Sequence, residues 1–138
     1  MSVIVDTCVW SLALRRHQPD ESSPVVQELR ELVLEGNAVL LGPIRQEILS
    51  GVPSREQFGS LRDHMRAFPD LALEPADFEE AAAGFTACRE RGIQGSNTDF
   101  LICAAAIRRA VTIFTTDDDF THFARVLPIR LHRPRFSA

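Results

Sequence analysis

A chain of 138 residues with 45% hydrophobic content has room for one core of ordinary size and none for a second catalytic domain. No apolar run approaches the roughly 20 residues that span a bilayer, and no basic segment precedes an apolar one at the start, so a cytoplasmic domain over residues 1–138 is expected. The formal charge of −4 argues against a polyanionic ligand only until its distribution is read: setting aside Asp6, Glu47, Asp99, Asp117, Asp118 and Asp119 leaves thirteen acids against fifteen arginines, about +2.

Val3-Ile4-Val5 is a β-branched run of the kind found in buried strands, and it ends at Asp6. Thr7 to Leu14 reads as a helix, followed by a polar loop from Arg15 to Ser23. Ser23-Pro24 has the form of an N-cap and a first-turn proline, opening a helix that stops at Gly36. Ala38 to Leu41 is the second strand; Gly42-Pro43 breaks it, and a helix from Ile44 places Glu47 about one turn in. Ser54-Arg55-Glu56-Gln57 fits a capping box ahead of a further helix. Leu71-Ala72-Leu73 is a brief strand, and an alanine-rich helix runs from about Ala76 to Arg91. A polar loop from Gly92 to Thr98 leads into a helix from Asp99 to Ala110. The strand Val111 to Phe114, a short helix and a last strand from Ile129 to Leu131 complete the chain.

Strands alternating with helices imply an α/β/α sandwich around a mostly parallel sheet, whose sites form beyond the carboxyl ends of the strands. Asp6 and Asp117 directly follow strands, Glu47 follows the second strand, and Asp99 opens a helix. Each could be a cap or a solvated acid when taken singly. Together at one rim, they would repel one another unless cations or protons offset the charge. Hard oxygen donors of this kind suit Mg²⁺ or Mn²⁺, one ion or two, and phosphodiester hydrolysis. Of the three consecutive aspartates, Asp117 is favoured because it lies nearest the strand end, with Asp119 second and Asp118 read as solvated. Thr7, Asn97 and Thr116 could orient a carboxylate or a water, and capping would explain them equally well.

Cys8, Cys88 and Cys103 form no C-x-x-C pair, which fits buried free thiols, and the four histidines lack metal-ligand spacing. Arg15, Arg16, Arg45, Arg89, Arg91, Arg108, Arg109, Arg133 and Arg135 are candidates for phosphate contacts, with Arg45 closest in sequence to a site residue. The phenylalanines read as core, and none is assigned to a base.

The N-terminal Val-Ile-Val-Asp6-Thr7, Glu47, Asp99-x-x-Ile102-x-Ala104-x-Ala106 and Thr116-Asp117-x-Asp119-Phe120, in that order across the whole chain, resemble the PIN-domain nucleases, and more narrowly the VapC toxins of bacterial toxin–antitoxin pairs. The resemblance implies Mg²⁺- or Mn²⁺-dependent endoribonuclease activity, with Asp6, Glu47, Asp99 and Asp117 as the acidic quartet and Asp119 matching an acid present in many members. It also implies an antitoxin partner and a homodimer or toxin–antitoxin hetero-oligomer. The helices around Val26 to Val33 and Ile44 to Phe58 could supply the antitoxin groove or serve as ordinary core. A PIN nuclease without an antitoxin, or a metal-free binding module of the same fold, is the alternative. The absence of lysine excludes phosphoacceptor receiver domains and haloacid-dehalogenase phosphatases, which both require one.

Overall fold

The computed structural model describes residues 1–14 and 20–136. The first five residues of the loop expected from Arg15 to Ser23, including the candidates Arg15 and Arg16, lie outside the described residues.

The described elements run in the order β1 (Val3–Val5), α1 (Thr7–Leu14), α2 (Pro24–Leu34), β2 (Ala38–Val39), α3 (Gly42–Ser50), α4 (Arg55–Met65), α5 (Pro75–Glu90), α6 (Asn97–Arg109), β3 (Thr112–Phe114) and α7 (Asp119–Phe123). The three strands form a parallel sheet in the order β2-β1-β3, with Ile4 opposite Val39 on one side and Ile113 on the other. All three residues of β1 are buried, as a central strand covered on both faces requires. The fold is α/β, as the alternation of elements predicts.

The two outer strands expected at Leu71–Leu73 and Ile129–Leu131 are not strands. Each flank of the sheet keeps a single parallel bridge instead, Leu40 with Asp70 and Ile113 with Leu131. Prolines explain the shortness: Pro69 and Pro75 bracket one segment and Pro128 and Pro134 the other, and a proline cannot donate to a ladder. Gly42-Pro43 does not separate β2 from the next helix either. Both residues belong to the first turn of α3, where proline's missing N–H costs nothing.

Trp10 is buried on the inner face of α1, and its indole N–H donates to the carbonyl of Val5 at 3.0 Å. That bond fixes the angle between β1 and α1, and so the direction in which the Asp6-Thr7 junction faces. Ile44 and Ile48 of α3 are wholly buried and belong to the core, whereas Phe58 of α4 is exposed. On the other side, Asp77 of α5 is buried and clamped by both arginines at the end of α6. Arg109 reaches its two oxygens at 2.7 and 2.9 Å, and Arg108 reaches one at 2.7 Å.

Candidate active site

Parallel strands put their carboxyl ends on one rim, and the candidate acids gather there. Asp6 extends β1 by one residue: its N–H donates to the Phe114 carbonyl at 2.9 Å, while its own carbonyl accepts from Val9 and Trp10 in the first turn of α1. The residue is 7% exposed. Oδ1 accepts from the Thr7 N–H at 2.7 Å, and Oδ2 accepts from the Thr115 hydroxyl at 2.8 Å. Burial pushes the Asp6 carboxyl above the ordinary range, and these hydrogen bonds oppose the shift while the charge of Asp99 adds to it.

Asp99 is the third residue of α6 and completes a capping box with Ser96. The Ser96 N–H donates to Asp99 Oδ2 at 3.0 Å, and the Asp99 N–H donates to Ser96 Oγ at 3.1 Å. The helix therefore begins at Asn97, two residues before the position expected from the sequence. Asp99 is a cap residue and a site carboxylate at once. Its pKa is also raised, first by burial and further by Asp117 and Asp119, with the bonds to Ser96 opposing.

Glu47 is exposed on α3 and reaches the group through Thr7, whose hydroxyl donates to its Oε2 at 2.7 Å. Thr7 thus touches both arms of the site, with its N–H on Asp6 and its hydroxyl on Glu47. Asp117 is half-buried and follows β3 by three residues; its Oδ1 accepts from the Asp119 N–H at 2.9 Å, which turns the chain into α7. Asp118 and Asp119 are exposed. Asn97 lies at the mouth of a cleft between α5 and α6. The Thr116 hydroxyl donates to the sulfur of Cys8 at 3.2 Å.

Two residues of this site are absent from the sequence-based candidates. Thr115, next to the candidate Thr116, bridges Asp6 and the N–H of Asp117, which it accepts at 3.0 Å. Cys8 is half-exposed, not a core thiol, with its sulfur 3.6 Å from Asp6 Oδ2. The available signal was position: both residues sit within two of a site carboxylate at a strand end.

Arg45 is engaged within the protein. Its guanidinium forks onto Asp70 at 2.9 and 3.1 Å and donates to the carbonyls of Met65 and Phe68, tying α3 to the chain that follows α4. Arg108 and Arg109 are likewise committed to Asp77. Arg135 is committed to Glu28 and Glu35 on α2.

The donors are all carboxylate oxygens, with Asp6 and Asp99 disfavoured as anions by burial and by neighbouring carboxylates. That is the chemistry a hard divalent cation relieves. Among the described residues, no group of three or more His, Cys, Asp or Glu side chains is arranged to hold one metal ion. Mg²⁺ does not need three: it commonly takes one or two carboxylates and keeps several waters. The residues therefore fit such an ion in donor type and in charge.

This chain belongs to the PIN-domain family, whose profile, described as PIN domain, matches residues 3–126. Within that family it is 33% identical over 128 residues to VapC ribonuclease Mb1587 of Mycobacterium bovis and to Ribonuclease VapC11 of Mycobacterium tuberculosis, in each case spanning 90% of this chain and 92% of the relative. Its fold is that of the chain in the crystal structure of FitAcB from Neisseria gonorrhoeae, with a TM-score of 0.72 and 20% identity over 96% of this chain and 97% of the other. VapBC2 from Rickettsia felis, bound to a DNA fragment from its promoter, gives 0.73 at 19% identity over 96% and 98%.

Proposed function

We propose that this chain is a Mg²⁺- or Mn²⁺-dependent endoribonuclease and the toxin of a toxin–antitoxin pair. The observation that carries the proposal is the tie of Asp6 to Glu47 through Thr7 at one rim, with Asp99 close enough to act on Asp6 and with burial disfavouring the charge of both aspartates. Asp6 and Asp99 are assigned to hold the ion directly, with Glu47, Asp117 and Asp119 assigned to it through bound waters. When bound, such an ion polarises a phosphoryl oxygen and lowers the pKa of a water. Thr115 and Thr7 keep Asp6 in one orientation, and Thr7 carries Glu47 toward it. Asp99 is held by its own helix cap, so its carboxylate does not have to be ordered when substrate arrives.

Kinship with VapC ribonucleases supports RNA as the substrate, and the resemblance to chains from FitAcB and VapBC2 supports an antitoxin partner. A second feature supports that partner: an apolar groove of about 230 Å³ lies between α1, α2 and α4, lined by Trp10, Leu14, Leu29, Val33 and Phe68. Among the described residues, no helix is long and apolar enough to cross a membrane.

The test is cleavage of a labelled total-RNA pool by the purified protein in Mg²⁺, Mn²⁺ or EDTA, beside Asp6→Ala and Asp99→Asn. The asparagine retains a capping side chain, so loss of activity is not loss of the helix end. Discrete fragments are expected that require metal and fall at least ~100-fold in both variants. Metal-independent fragments, or fragments that persist in the variants, would refute the assignment.

A further inference from the structure

A cleft lies between α5 and the start of α6, next to the Glu47 end of the site. It encloses about 520 Å³, within the range of small-molecule sites, and shares Pro43 and Thr98 with the recess beside Glu47. Its wall is aromatic. Phe78 is 53% exposed, and Phe85 stands two turns further along the same face of α5. Phe85 is held edge-on against Phe100 at 5.2 Å between centroids, and the guanidinium of Arg89 lies 5.7 Å from its ring centre. Asn97 and Thr98 bring polar atoms to the mouth.

The occupant must have flat apolar faces, polar edges and an anionic attachment, because the cleft offers rings, amide and hydroxyl groups, and a cation at its edge. We propose that it is a subsite for one unpaired nucleobase of the RNA substrate, stacked on Phe78 and Phe85 with its edge toward Asn97 and Thr98. The adjoining backbone then runs between Arg89 and the acidic rim. The inference rests on the ribonuclease reading above and adds the place where base identity enters. Stacking on aromatic side chains is the usual way in which single-stranded RNA is gripped.

The test uses oligoribonucleotides carrying an abasic ribose at each position around the cleaved bond. For the wild type, kcat/KM falls by about 5- to 100-fold at one abasic position. Phe78→Ala shows a similar loss on intact RNA and no further loss at that position, and Phe78→Trp restores cleavage. A Phe78→Ala variant with the same abasic profile as the wild type overturns the subsite. So does a variant whose only change is from dimer to monomer in sedimentation, which would make the cleft a contact between copies. Should the wild type cleave no RNA, the parent reading fails while the subsite stays testable. In EDTA, quenching of the indole introduced by Phe78→Trp on adding an oligoribonucleotide, measured against the Trp10 background, supports it, and absence of quenching rejects it.

Discussion

The hydroxyl of Thr115 donates to Asp6 Oδ2 and accepts from the N–H of Asp117, so one oxygen sets the spacing of two strand ends. Replacing it by valine keeps the volume and the β-branch but removes both bonds. Thr115→Val is expected to lower cleavage or Mn²⁺ affinity by about 10- to 100-fold while circular dichroism stays unchanged, and Thr115→Ser should recover most of the loss. Unchanged kinetics in the valine variant would mean that the bridge orients nothing. The neighbouring threonines are not separable by sequence alone, because successive residues of an extended chain point to opposite sides and the register decides which one turns inward. Arg45 is placed by a related effect. Two residues from Glu47 along the chain, it stands elsewhere around the helix and meets Asp70 instead.

The approach to α6 is governed by Gly95. A Cβ there would stand 2.5 Å from Phe123 and 3.0 Å from Phe100, so the chain passes these rings at a distance only glycine permits. The close approach places Ser96 where it can cap α6, and through the cap it sets Asp99. Gly95→Ala is expected to cost about 1–3 kcal/mol by overpacking, read as a lowered Tm in thermal denaturation; an unchanged Tm would show that the rings yield freely. Ser96-x-x-Asp99 has the spacing of a capping pair, yet it lies at the end of a polar run that reads as loop. Helix starts are local and can be found from caps. Sheet edges are not: the bridges at Asp70 and Leu131 depend on what lies beside them.

Across the molecule, α5 and α6 are joined by a buried carboxylate that the sequence did not single out. Asp77 accepts from the Glu74 N–H at 2.7 Å and binds Arg108 and Arg109. The Arg109 guanidinium is the main cause holding its pKa below the ordinary range, against the opposing effect of burial. The stabilisation is therefore present above the unfolded-state value of about 3.9 and is lost as pH falls below it toward the lower folded value. Asp77→Asn is expected to destabilise the protein on the order of 3 kcal/mol at neutral pH, since it leaves two arginines with a neutral partner. Its urea midpoint should also depend less on pH below about 4 than that of the wild type. Equal acid sensitivity of the two proteins would place the titrating group elsewhere.

The alternation of strands and helices, the parallel sense of the sheet, the inward strand at Val3–Val5 and the placing of Asp6 and Glu47 at one rim are consequences of periodicity and chain order. They could be read without coordinates because each depends on residues a few positions apart, together with one rule about where parallel strands point. The bond from Thr7 to Glu47, the bridge made by Thr115, the clamp on Asp77, the commitment of Arg45 and the aromatic cleft beside the site join residues up to 109 positions apart. No local pattern encodes such pairings. They exist only once burial has brought those side chains together and made each unpaired polar group costly.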